Sequence, residues 1–128
     1  MRALVIGASG QVGGALCEAL ARRGHAAVGT HGRVPAPGTV PLDFTDAAAA
    51  ERLIIETRPD WIFCAAALTH VDYCEDHPRE AERLNRDAPA AAARVAARIG
   101  AGFVFYSTEY VFDGTAGPYA EDDPPKPL

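Results

Sequence analysis

Lysine is almost missing from this chain. Of its 12 basic residues, 11 are arginine and one is Lys126, and they are scattered along a sequence of net charge −5. A duplex nucleic-acid binder needs a basic face, so this distribution argues against that class and no nucleic-acid partner is expected. Cysteine is scarce too. Cys17, Cys64 and Cys74 make an odd count without framework spacing, which argues against a disulfide scaffold and for reduced thiols. Long apolar runs are absent: none approaches the roughly 18 residues that a membrane-spanning helix requires, so no membrane partner is expected. The apolar run after Arg2 is too short for a signal peptide and no processing site follows it, so a cytoplasmic protein is the expectation. Linkers and internal repeats are also lacking.

What is present is ordinary for a globular protein. The 128 residues are 48% apolar and 23% charged, enough for one domain or part of one and too apolar for disorder. The 26 alanines are read as compositional bias.

Five short apolar runs predict strands: Arg2 to Ile6, Ala26 to Thr30, Thr39 to Leu42, Trp61 to Ala66, and Phe103 to Tyr106. Helical spacing covers Gln11 to Arg23, with Gly24 as its stop. Asp46 can cap a helix that Arg58-Pro59 ends near Thr57. Residues 67 to 77 read as a loop. Pro78 opens a helical stretch that breaks near Asn85-Arg86-Asp87, and Pro89 opens another that reaches Ile99. Beyond Asp113 the sequence is turn-like. Strands alternate with helices and read as continuous apolar runs, the pattern of a parallel sheet covered on both faces. The expectation is an α/β, doubly wound, Rossmann-type fold across residues 1–128. Its ligands would bind beyond the carboxyl ends of the strands.

Those strand ends carry the candidate chemistry. Gly7-Ala8-Ser9-Gly10-Gln11-Val12-Gly13 joins the first strand to the first helix. Gly7 permits a sharp turn, Gly10 permits a pyrophosphate to approach the backbone, and Gly13 permits close helix packing. The helix N-terminus adds free N–H groups and a positive dipole end. A NAD-type site usually has an acid about 20 positions on, to hold the ribose 2′-hydroxyl. The second strand instead runs into Thr30-His31-Gly32-Arg33. Arg33 can hold a 2′-phosphate, which favours NADP(H), with NAD(H) as the alternative. Asp43 can accept from an adenine amino group. Ala65, Ala66 and Ala67 leave room for a flat cofactor. Ser107-Thr108-Glu109 places polar groups at the end of the fifth strand.

Taken together, these residues resemble a known family. The glycine loop, Leu42-Asp43-Phe44-Thr45-Asp46, Thr69-His70-Val71-Asp72, Asn85 and above all Ser107-Thr108-Glu109-Tyr110-Val111-Phe112-Asp113-Gly114 look like dTDP-4-dehydrorhamnose reductases, which are extended short-chain dehydrogenases. The resemblance runs from residue 1 to 128. It implies NAD(P)H-dependent reduction of a 4-keto sugar nucleotide, and a homodimer, since members often self-associate. It implies cofactor contacts from Gly10, Gln11, Val12, Asp43, Phe44, Ala66, Ala67 and Leu68. It gives Thr108 the role of the active-site hydroxyl and Glu109 that of the neighbouring carboxylate. Glu109 stands where the family usually has Asp, and Cys64 where it usually has Asn. The family's proton donor is a Tyr with Lys four residues later. Tyr73, Tyr106, Tyr110 and Tyr119 are followed at that spacing by His77, Tyr110, Gly114 and Asp123. The expectation is therefore the N-terminal, cofactor-binding part of a longer reductase. A regulatory protein of methionine adenosyltransferase shares these motifs, as do sugar-nucleotide epimerases, so a non-catalytic NADP(H)-binding module and an epimerase or dehydratase are the alternatives.

Other clusters carry less. His70, Asp72, Cys74 and His77 crowd one loop, but their spacing fits no common zinc pattern, so no metal is expected. Cys64 has no evident base nearby in the sequence and an apolar setting, which opposes a nucleophilic role. Trp61 and Tyr106 are expected in the core.

Overall fold

The computed structural model describes residues 1–127; Leu128, the last residue of the expected domain, lies outside them. Five parallel strands form one sheet in the order β3-β2-β1-β4-β5. They are β1 (Arg2–Ile6), β2 (Ala26–His31), β3 (Thr39–Pro41), β4 (Trp61–Cys64) and β5 (Gly102–Phe105). The order reverses between β1 and β4. A doubly wound sheet opens a crevice at such a switch point, beyond the carboxyl ends of its strands.

Two apolar layers hold the helices to the sheet. On one face Leu4, Ile6, Ile62 and Cys64 pack with Ala50 and Ile54 of α2 (Ala47–Thr57) and with Ala92, Val95 and Ala96 of α5 (Ala88–Ile99). On the other, Ala3 and Val5 pack with Leu20 of α1 (Gln11–Arg22). Leu4, Ile54 and Ile62 are wholly buried, and each contributes roughly 1.5–3 kcal/mol relative to an exposed side chain. Asp46 caps α2, its Oδ1 accepting from Ala48 N and Ala49 N at 3.0 Å each, as its place before the alanine run predicts. Among the described residues no helix is long and apolar enough to cross a membrane.

β3 pairs in parallel with β2 although no helix connects them. The strand is so short that the chain need return only about 10 Å, well within the reach of the loop 32–38. Thr39 closes that loop: its Oγ1 donates to Ala36 O at 2.6 Å and shares a 2.7 Å hydrogen bond with His31 Nδ1.

Several expectations are corrected. β4 ends at Cys64 and not Ala66, so Ala65, Ala66 and Ala67 belong to the loop beyond it. The segment 67–77 is not all loop: α3 (Val71–Asp76) lies within it, capped by His70, whose Nδ1 accepts from Tyr73 N at 3.1 Å. The helical stretch does not break at Asn85. α4 (Pro78–Glu82) passes through one π-helical turn, Arg83–Asp87, straight into α5. Trp61 and Tyr106 are 43% and 42% exposed, not core residues. Trp61 shares the face of β4 on which Phe63 packs towards α1, but α1 lies mainly over β1 and β2; Tyr106 lies past the end of β5.

Candidate functional site

The glycine loop forms a tight turn between β1 and α1. Gly7 has φ +87°, and a Cβ there would lie 2.7 Å from Ala66 N. A Cβ at Gly13 would lie 2.3 Å from Gly7 O, so α1 starts closer to the turn than any other residue permits. Thr30, a buried polar residue at the end of β2, ties the turn down. Its Oγ1 accepts from Gly7 N at 3.2 Å and its carbonyl accepts from Ala8 N at 2.7 Å.

Gly10 differs from its two neighbours. Its backbone is extended, and a Cβ would meet only Gly7 O, at 3.4 Å. The space above it is open. Gly10 is also the N-cap of α1, so no side chain caps this helix, and its first turn holds no acid. The N–H groups of that turn and the positive dipole end thus remain available to an anion.

A cleft of about 940 Å³ lies along the carboxyl edge of the sheet. Its lining brings together Gly7, Gly10, Arg33, Asp43, Phe44, Ala65, Ala66, Ala67 and Leu68. Gln11 and Val12 lie outside the lining, exposed in the first turn of α1, and Gly13 is buried beneath it. Phe44 is only 5% exposed and packs in the core, so its ring has little surface to give a ligand. Asp43 Oδ1 accepts from Thr45 Oγ1 at 2.7 Å and from Thr45 N at 2.9 Å. These bonds, the hydroxyl first, hold the Asp43 carboxyl below its usual pKa.

Residues that the sequence reading did not single out complete the cleft. Arg79, Glu80 and Arg83 join its lining from α4 and the π turn. Three arginines, Arg33, Arg79 and Arg83, thus face two carboxylates, Asp43 and Glu80, an excess of cations suited to phosphate. Asn85 holds the β4–α3 loop at both ends of one peptide position: its Oδ1 accepts from Leu68 N at 2.8 Å and its Nδ2 donates to Leu68 O at 2.9 Å. The polar Asn85-Arg86-Asp87 run was the only mark of this turn in the sequence. π turns often occur at functional sites.

Thr108 and Glu109 follow β5 at the same edge but are exposed and outside the cleft's lining. Thr108 Oγ1 accepts from Tyr110 N at 3.0 Å, which caps the short 3-10 turn Glu109–Val111. Its own O–H is left free to donate. Cys64 is 2% exposed, and burial pushes its thiol up to about 11; such a thiol is inert at neutral pH. His70 caps α3, and the His77 ring stacks on Tyr73 with centroids 4.0 Å apart. Among the described residues no three His, Cys, Asp or Glu side chains gather at metal-binding range.

A parallel sheet of this order, with a glycine turn opening its first helix onto a cleft at the switch point, defines a Rossmann-type fold. The chain belongs to the family described as RmlD substrate binding domain, whose model matches residues 1–128. It is 38% identical over 127 residues to methionine adenosyltransferase 2 subunit beta of Bos taurus, covering 99% of this chain and 38% of that protein. It is 41% identical over 127 residues to dTDP-4-dehydrorhamnose reductase of Streptomyces griseus, covering 98% of this chain and 40% of that one. A hypothetical dTDP-4-dehydrorhamnose reductase from Sulfolobus tokodaii matches with TM-score 0.94 and 41% identity, over 99% of this chain and 46% of its own. The dTDP-4-dehydrorhamnose reductase of Bacillus anthracis str. Ames, solved in complex with NADP, matches with TM-score 0.87 and 30% identity, over 98% and 43%. The chain spans about two fifths of the length of these curated relatives.

Proposed function

We propose that this chain is the NADP(H)-binding part of a reductase acting on a 4-keto sugar nucleotide. The observation that carries the reading is the uncapped N-terminus of α1 behind Gly10, opening on a cleft that Arg33 also lines. NADPH, when bound, supplies a hydride from its nicotinamide C4.

The chain's own residues do the rest of the work in this reading. The first turn of α1, Gln11 to Gly13, holds the pyrophosphate through backbone N–H groups. Arg33 holds the 2′-phosphate with two parallel donors. Asp43, kept ionised, accepts from the adenine amino group. Ala65, Ala66 and Ala67 form a flat wall, and Leu68 continues it with its peptide fixed by Asn85. Thr108 donates its free O–H to the keto oxygen, where charge builds in the transition state. Glu109 lies beside it as the neighbouring carboxylate. The sugar-binding lobe and the Tyr-x-x-x-Lys proton donor belong, in this reading, to the part of the protein that follows the cofactor-binding domain, and the enzyme works as a homodimer in the cytoplasm.

One observation favours a second reading. The chain is 38% identical to a protein named as a subunit of methionine adenosyltransferase, which fits a module that binds NADP(H) without reducing a sugar. The two readings part on one assay. The intact protein is mixed with NADPH and, in turn, dTDP-4-dehydrorhamnose and other 4-keto sugar nucleotides, and loss of the reduced-nicotinamide absorbance is followed. Turnover supports the reductase. Tight NADPH binding with no turnover on keto-sugar nucleotides rejects it in favour of the regulatory module.

A further inference from the structure

The end of β2 has no acid, yet a carboxylate reaches the cleft there from another element. Glu80, on α4, lies 47 positions beyond Arg33 and accepts from its guanidinium, with Nη2 to Oε1 at 3.0 Å. The other carboxylate oxygen, Oε2, accepts from Tyr73 Oη at 2.9 Å. Arg33 and Glu80 both line the cleft that Gly10 opens onto. The Arg33 side chain is 86% exposed and that of Glu80 39%. Glu80 is therefore the better anchored of the two, and Arg33 is the arm that can turn.

We infer that Glu80, positioned by Tyr73, sets the preference of this site between NADPH and NADH. The inference rests on the dinucleotide reading of the cleft. One oxygen of Glu80 already takes an N–H of Arg33. A 2′-phosphate must take Arg33 away from this carboxylate and then sit beside it, like charge near like charge. A 2′-hydroxyl meets neither cost, and Glu80 gives it the acceptor that β2 does not. Glu80 thus restrains NADPH and supports NADH, and the site takes both. The Tyr73 hydroxyl and the Arg33 guanidinium keep Glu80 ionised, holding its carboxyl below the usual range, so the restraint persists at neutral pH. Tyr73 is in turn fixed by its stack on His77.

The test is the ratio of NADPH to NADH affinity, measured by calorimetry on the intact protein. Glu80→Gln keeps the size and removes the charge. It is expected to tighten NADPH about fivefold and to weaken NADH about twofold, in line with the modest worth of exposed ion pairs. The ratio then moves about tenfold towards NADPH. Tyr73→Phe, which leaves the charge but frees its Oε2, moves the ratio in the same direction by a smaller factor. A merely structural role would weaken both nucleotides alike. If the parent protein binds nucleotide and the Glu80→Gln ratio stays within twofold, or moves towards NADH, the inference is overturned while the dinucleotide reading stands. If the parent protein binds neither nucleotide, both fall.

Discussion

Replacing Gly10 by Ala should separate binding from stability. The backbone at Gly10, φ −85° and ψ 168°, is one any residue adopts. The added methyl touches only Gly7 O at 3.4 Å. Loss of stability should stay near 0.5 kcal/mol, the usual difference between Gly and Ala at an N-cap. The same methyl stands where a pyrophosphate must approach the first turn of α1. Pushing the anion off two backbone N–H donors forfeits about 3 kcal/mol, taking the low end for hydrogen bonds to charged groups. That is roughly a hundredfold in Kd. Gly13→Ala is the control, because its methyl would lie 2.3 Å from Gly7 O and 2.8 Å from Gly7 C. Backbone must shift, at about 2 kcal/mol of stability. Urea unfolding and NADPH calorimetry on both variants make the comparison. Unaltered NADPH binding by a folded Gly10→Ala protein would refute the reasoning.

Three further outcomes follow from the same geometry. Arg33→Ala should weaken NADPH at least about tenfold and NADH much less, with little change in urea midpoint because the pair it breaks is exposed; equal losses would remove Arg33 from the 2′-phosphate. Asn85→Ala removes both hydrogen bonds to Leu68 and should cost about 2 kcal/mol in urea unfolding, with hydrogen exchange at Leu68 accelerating; an unchanged Leu68 amide would contradict this. The buried Cys64 thiol has its pKa raised from 9.0 to about 11, so the folded state keeps a proton that the unfolded state loses. The stability this gives is intact below pH 9 and falls as pH rises towards 11. Cys64→Ala should flatten that alkaline fall in a series of thermal melts, and an equally steep fall would exclude Cys64 as its cause.

The sheet was legible because each buried strand is a bare apolar run, and the glycine turn because it sits between such a run and an amphipathic helix. The third strand was legible even across a short loop. α3 was hidden: its six residues, Val71–Asp76, include none that is buried, and its cap is a histidine, which sequence reading seldom credits. In the sequence the π turn reads as a break because its polar residues interrupt the helical period, whereas the backbone absorbs one extra residue and continues. Trp61 misled because an aromatic in a strand is normally covered, and here the helix on its face lies over β1 and β2. Glu80 could not be found by counting from the glycine loop. The chain brings it to Arg33 through the β4–α3 connection, and only the fold places the two side chains together.

Every role proposed for this chain requires that the cleft behind Gly10 bind a dinucleotide. The measurement that tests it most directly is isothermal titration of the intact protein with NADPH, repeated with Gly10→Ala. One nucleotide per chain is expected to bind saturably, and about a hundredfold more weakly in the variant, whose stability falls by only about 0.5 kcal/mol. Absence of binding by the parent protein, or equal binding by both, would contradict it.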